Sequence, residues 1–354
     1  MKLIYAYSQE LKDPTLEFPQ EDVNLFKEIY KIDGDGWLVD RTGLITFPFN
    51  ETLLDRHILP ECVEPVTFAD ACLFHANELL DLDQPIYIMW SGGIDSTATV
   101  VSLLRTGRPL DRVTIILNYD SVKEYKNFYE TYIRGKFKIL PSEQATLLLT
   151  FSKLDGIVYS GEGGDQIMGN PLATVIYRTM PQGFLERPFN LENLRELFSF
   201  KGISEKSIRC WFDMYITTII RSPRPIKNMY DLVWWHGFNF KWQQRGLVIY
   251  LRIHKDAKVE PFYCGKKFQE WSCTNEPNLE NFSTLKSEQK KFIADFTGDN
   301  DYFVNKLKHP SSTLYYGIKS ASALDENFNK LFDCPLMNFY NPNNSFSKWL
   351  TTNC

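Results

Sequence analysis

The sequence predicts an α/β protein. It is expected to have a doubly wound parallel sheet, a mainly helical C-terminal half and a small β-rich N-terminal unit. Three observations lead there. Short β-branched and aliphatic runs alternate with helical patterns from about residue 85 to residue 160. Two glycine-rich stretches, SGGIDS at 91–96 and SGEGGDQIMG at 160–169, each follow such a run. After about Pro171, helical periodicity takes over.

The chain has 354 residues, enough for more than one core, and two units are expected: a β-rich unit at 1–80 and a larger domain at 81–354. Within the first unit MKLIYAYS reads as a strand, and WLVDRTGLITF reads as two strands around a turn at Arg41 to Gly43. The preceding KIDGDGWLVD resembles the start of a calcium loop. Trp37 and Leu38 stand where such a loop needs a ligand and a glycine, so it reads as a turn. From Phe68 to Leu82 the apolar residues Ala69, Cys72, Leu73, Ala76, Leu79 and Leu80 fall at helical spacing.

The strand PIYIMW (85–90) comes next, then SGGIDS and the helical TATVVSLLRTG ending at Gly107. The alternation continues with VTIILNY (113–119), a helix around Ser121 to Ile133, the short strand FKIL, another helix, and GIVYS (156–160). Strands in such a sheet run parallel, and ligands bind at their carboxyl ends. Both glycine stretches are therefore expected at one crevice. In the C-terminal half, the crowded aromatics Trp234, Trp235, Phe238, Phe240 and Trp242 read as core in preference to a base-stacking platform. The tail after Leu336, rich in Asn, Pro and Ser, reads as irregular.

Composition narrows the class. Hydrophobic residues make up 44% and charged residues 23%, which describes a folded globular chain. The net charge of -5 argues against a protein that coats nucleic acid. No signal sequence or apolar run of about 18 residues is present, so a cytoplasmic protein without membrane contact is expected. The seven scattered cysteines lack any CxxC pair and read as reduced thiols, and zinc is not expected. The sequons at Asn50, Asn281 and Asn343 carry no weight without a secretory route.

In SGGIDS, the small residues Ser91, Gly92, Gly93 and Ser96 let backbone amides approach a polyphosphate, and the following helix points its positive end at it. Pyrophosphate is the guest this suits. Asp95 beside it makes sense as a ligand for Mg²⁺ on the phosphate oxygens. The plainer reading is a tight strand-to-helix turn capped by Ser and Asp. A kinase-type P-loop is absent, because Gly135 and Gly265 precede lysines without a glycine five positions earlier.

Together, SGGIDS and SGEGGDQIMG resemble the two signatures of asparagine synthetase-type ATP pyrophosphatase (PP-loop) domains. The resemblance implies ATP as substrate and Mg²⁺ held by Asp95 and Asp165. It also implies a phosphate cradle that includes Gly161 and Gly163, and a catalytic role for Glu162. Relatives that close a β-lactam ring carry tyrosine at that position, so Glu162 lies nearer the asparagine-forming branch. Taken alone, the second stretch also reads as a glycine-rich surface loop with solvated acids.

KVEPFYCGKKFQEW (258–271) is similar to the family's PFLD segment, and KSEQKK (286–291) to its later KxxLR-like helix. The match implies Lys286 as the cation that steadies the transition state; the other reading is a solvated helix face. Two departures bear on the substrate: Cys264 stands where PFLD ends in aspartate, and Ala257, Lys258 and Val259 replace the family's Glu-x-Arg.

The resemblance implies a ligase. A small-molecule carboxylate is adenylated, pyrophosphate leaves, and ammonia or an amine attacks the acyl adenylate to form an amide. Lys2 stands where a glutamine-hydrolysing domain carries its cysteine, so glutamine is not expected as nitrogen donor, and free ammonia, a separate ammonia source or an amine is. Adenylation of a nucleobase carbonyl remains open, as does a non-catalytic nucleotide-binding module that docks a partner.

Overall fold

The computed structural model describes residues 2–5, 37–46, 50–53, 59–61, 63–142, 154–169, 171–199, 203–242, 259–276 and 286–306. Near the N-terminus, β1 (Lys2–Tyr5) lies between β2 (Trp37–Asp40) and β3 (Asn50–Leu53), antiparallel to both. The hairpin expected within WLVDRTGLITF does not form: residues 44–46 are irregular. The cause is Asp40, whose carboxylate accepts from Thr42 N (2.9 Å), Thr42 Oγ1 (2.6 Å) and Ile45 N (2.7 Å). Those bonds tie residues 42–45 to the turn and leave β2 to pair with β1.

The main sheet has five parallel strands in the order β6-β5-β4-β7-β8. They are β4 (Ile86–Met89), β5 (Val113–Leu117), β6 (Lys138–Pro141), β7 (Ile157–Ser160) and β8 (Val259–Pro261). Isoleucine and valine dominate β4 and β5, as suits strands covered on both faces. Side chains alternate across the sheet. Ile86, Ile88, Val113 and Ile115 join the main core, while Ile116, Leu140 and Val158 pack with Tyr87 and Met89 in a separate cluster.

From β4 the chain steps outward through β5 to β6, then returns to place β7 on β4's other side. That reversal makes a topological switch point between β4 and β7, where open α/β sheets hold their ligands. Both glycine stretches leave the sheet there, and Phe262–Cys264 leaves the adjacent β8 at the same end.

A helical layer covers the main-core face. Helix α1 (Phe68–Asp81) starts at Thr67, whose hydroxyl accepts from Asp70 N, and it buries Phe68, Ala71, Cys72, Ala76, Leu79 and Leu80. It packs on α2 (Ile94–Arg105). The helix expected from Ser121 to Ile133 is broken: α3 (Tyr119–Glu124) ends at Tyr125, a short turn follows at Lys126–Phe128, and a wider π-type turn spans Tyr129–Ile133.

The helical half contains α4 (Gly164–Ile167), α5 (Pro171–Thr179), α6 (Leu191–Ser199), α7 (Glu205–Ile219) and α8 (Met229–Trp235), the last running into a π-type turn at His236–Phe240. Then come α9 (Lys266–Thr274), α10 (Ser287–Thr297) and α11 (Asn300–Asn305). Trp234, Trp235, Phe238, Phe240 and Trp242 are all core residues, at most 1% exposed. Trp234 Nε1 donates to Ser272 Oγ and Trp235 Nε1 to Thr218 Oγ1, so their polar edges are satisfied.

Arg41 carries the N-terminal segment into this core. Its guanidinium donates to Phe238 O (3.0 Å) and Gln269 Oε1 and lies over the rings of Trp242 and Phe238. Its backbone N donates to Asn239 Oδ1. Among the described residues no helix is long and apolar enough to cross a membrane. The sequence after residue 306, including the tail expected to be irregular, lies outside the described residues, as does the helix expected between FKIL and GIVYS beyond Ser142.

Candidate functional site

The loop between β4 and α2 is held by its own serines. Ser91 N donates to Ser96 Oγ (3.1 Å), Ser96 Oγ donates to Gly93 O (3.2 Å), and Gly93 N donates to Ser91 Oγ (3.3 Å). Gly92 has φ +74°, and a Cβ there would lie 2.4 Å from Ser121 O, so both the conformation and the contact require glycine. Gly93 caps α2 and offers no side chain to its first turn, so α2 presents a bare positive end at the switch point.

The loop after β7 lies directly against that turn. A Cβ on Gly161 would stand 2.9 Å from Ser96 N, and one on Gly164 2.5 Å from Asp95 Oδ1. These two glycines therefore let one motif touch the other. Gly163 has φ +86° and caps α4, and it packs on Tyr263 and Cys264. Glu162 N donates to Ser160 Oγ at 3.4 Å, and the Glu162 side chain is half-buried with Oε2 enclosed. Asp165 sits in the first turn of α4.

Lys286, just before α10, joins the two motifs. Its Nζ bonds Asp95 Oδ2 and lies 2.7 Å from Asp165 Oδ1. Gln289, one turn further, donates from Nε2 to Asp95 Oδ1 at 2.8 Å, and Tyr263 Oη donates to Asp95 O at 2.7 Å. Burial pulls the Lys286 pKa down, but Asp165 and Asp95 outweigh it by charge and hydrogen bonding and hold it above the ordinary lysine value. Lys286, Gln289 and Lys290 are buried while Glu288 and Lys291 are exposed, so the solvated-face reading of Lys286 is set aside.

Asp95, Asp165 and Lys286 thus meet at one point, and Ser91, Gly93 and Ser96 form one hydrogen-bonded loop. Gly161 and Gly163 serve as packing positions in the second loop. Among the described residues no three metal-binding side chains cluster. Gln289 and Tyr263 were not singled out from the sequence. For Gln289 the available signal was its spacing three residues from Lys286, which puts both on one helix face. Cys264, the departure in the PFLD-like segment, is buried under the second loop, and Gln269 Nε2 donates to its carbonyl at 2.9 Å.

Comparison of the chain with known protein families finds no family that matches it, and comparison with characterised proteins finds no match either.

Proposed function

We propose that the chain is an ATP-dependent, AMP-forming ligase of the asparagine synthetase-like PP-loop type. The observation that carries this reading is the meeting of Asp95, Asp165 and Lys286 at the carboxyl ends of the adjacent strands β4 and β7. Two carboxylates beside a bare helix start and a buried ammonium suit a polyphosphate with its cation, which the plainer turn reading has no reason to assemble.

Asp95 and Asp165, brought together at Lys286, are the residues that would hold Mg²⁺, which prefers one or two carboxylates together with substrate phosphate oxygens. When bound, that ion would neutralise charge on the phosphates. The chain's own groups do the rest. The first turn of α2 and the Lys286 ammonium favour the charge that gathers on pyrophosphate as it departs. A substrate carboxylate oxygen attacks the α-phosphorus, the α–β phosphoanhydride bond breaks, and pyrophosphate leaves. Ammonia or an amine then attacks the acyl carbon and AMP leaves with the bonding electrons. Glu162 is assigned the proton that the attacking nitrogen releases.

A nucleobase-thiolating reading would want an accessible thiolate. Burial raises the thiol pKa of Cys72, and that of Cys273 to about 12, so neither thiol supplies one. The test is exchange of labelled pyrophosphate into ATP with Mg²⁺ and a panel of carboxylic acids. Exchange that depends on one acid supports the ligase and names its substrate. Pyrophosphate exchange that ignores every acid but responds to a nucleobase would replace it with the nucleobase reading.

A further inference from the structure

Gln289 is fully buried, and its amide is only half used. Nε2 donates to Asp95 Oδ1 at 2.8 Å, while Oε1 is enclosed and meets no donor. A stranded amide oxygen is a cost that an apolar side chain of the same length would not carry. Turning the amide over would be worse, because it would set Oε1 against a carboxylate oxygen, acceptor against acceptor. The N–H on Asp95 is therefore what glutamine provides at this position, and packing alone gives no reason for it.

The grip on the Asp95 carboxylate comes from a single helical turn. Lys290 N donates to Lys286 O at 2.9 Å, which closes the first turn of α10 and puts residues 286 and 289 on the same face. Lys286 Nζ takes Asp95 Oδ2, and Gln289 Nε2 takes Oδ1. The two donors differ in what they fix. An ammonium on a four-carbon stem is a point charge with rotatable protons and leaves the carboxylate plane soft, whereas a planar amide on the other oxygen sets that plane. A Cβ on Gly164 would lie 2.9 Å from Gln289 Nε2 and 2.5 Å from Asp95 Oδ1, so amide and carboxylate lie together against the second loop. Tyr263 Oη (2.7 Å) and Thr99 Oγ1 (3.1 Å) both donate to Asp95 O and hold its backbone. The backbone and the carboxylate plane of Asp95 are thus fixed by separate groups.

We propose that Gln289 is the positioning residue for Asp95: its N–H holds the plane of the carboxylate that would ligate Mg²⁺, and it takes no part in bond making itself. The inference rests on the ATP reading above, which assigns that cation to Asp95 and Asp165. Outer partners of a ligating carboxylate typically set metal affinity by about 10–100-fold.

Mn²⁺ binding to the full chain in the presence of inorganic pyrophosphate, read by electron paramagnetic resonance of the free ion, tests this alongside thermal melts. Gln289→Met, which keeps the length and loses the donor, is expected to weaken Mn²⁺ binding about tenfold or more. Its Tm should stay within about 2 °C of the unsubstituted protein or rise, because the stranded oxygen goes as well. In an Asp95→Ala background the same change should move Mn²⁺ affinity by less than about twofold, since no carboxylate is left to orient. Unchanged Mn²⁺ affinity in Gln289→Met overturns the proposal, as does a further loss of about tenfold in the Asp95→Ala background. An affinity loss that comes with a markedly lower Tm also overturns it and would mark Gln289 as structural. Product analysis separates this role from the ligase reading. Normal Mn²⁺ binding in Gln289→Met while ATP gives AMP and pyrophosphate rejects the positioning role alone. The expected loss while ATP gives ADP rejects the ligase reading and leaves the role standing, and an unsubstituted chain that binds no Mn²⁺ with pyrophosphate rejects both.

Discussion

At the residue scale, the site turns on one ammonium shared by two carboxylates. Lys286 is at the edge of burial, while Asp95 and Asp165 keep about a fifth of their side-chain surface exposed (22% and 23%). Removing the charge in Lys286→Met leaves the two acids facing each other. The loss is expected to cost about 1–3 kcal/mol of stability, less than for a fully buried pair because water still reaches the acids. Urea denaturation of Lys286→Met against Lys291→Met, an exposed neighbour, measures it; equal midpoints would show that the triad holds nothing together. On the proposed ligase reading, Asp95→Asn and Asp165→Asn should each slow adenylation about a hundredfold or more, on a contribution of about 3–4 kcal/mol. Because both acids would then serve one centre, the double variant should be little worse than the poorer single one. Rate losses that multiply would show two independent sites.

At the scale of elements, the glycines decide how closely the two loops meet. Gly164 is not left-handed, yet a Cβ on it would strike Asp95 Oδ1, whereas Gly298 at the end of α10 has φ +70° and open space around it. Gly164→Ala is therefore expected to lower adenylation at least tenfold by pushing Asp95 off Lys286. Gly298→Ala should cost about 1 kcal/mol of stability through backbone strain and leave the rate alone. Rate assays and melts of both variants check this pair; a Gly164→Ala protein with the unsubstituted protein's full rate would refute the contact.

Much of this level was legible in the sequence. The aliphatic runs gave β4, β5 and β7 with their ends trimmed by a residue or two, and parallel alternation put both glycine stretches at one crevice. What could not be read was long-range. That Asp40 would fold its chain into a turn depends on bonds to Thr42 and Ile45, which compete with strand pairing and leave no periodic signal. The partnership of Gln289 and Tyr263 with Asp95 likewise depends on how α10 and the end of β8 pack on α2, which spacing alone does not report.

At the scale of the molecule, the N-terminal segment is tied to the helical half by Arg41. The buried guanidinium has its pKa lowered to about 9, chiefly by loss of water, and the acceptors Phe238 O and Gln269 Oε1 with the Trp242 and Phe238 faces offset that cost. Gln269 also donates to Cys264 O under the second loop, so the tie reaches the site through one side chain. Arg41→Ala is expected to lose about 3 kcal/mol or more, since it strands two buried acceptors and opens a cavity between aromatic rings. Chemical denaturation measures it, and a loss under about 1 kcal/mol would mean that the segment is not anchored there. The central claim is that these parts assemble a site for cleaving ATP between its α and β phosphates. Phosphorus NMR of ATP turned over by the protein with Mg²⁺ and an acceptor acid tests it most directly: AMP and pyrophosphate are the expected products, and ADP with orthophosphate would contradict the account.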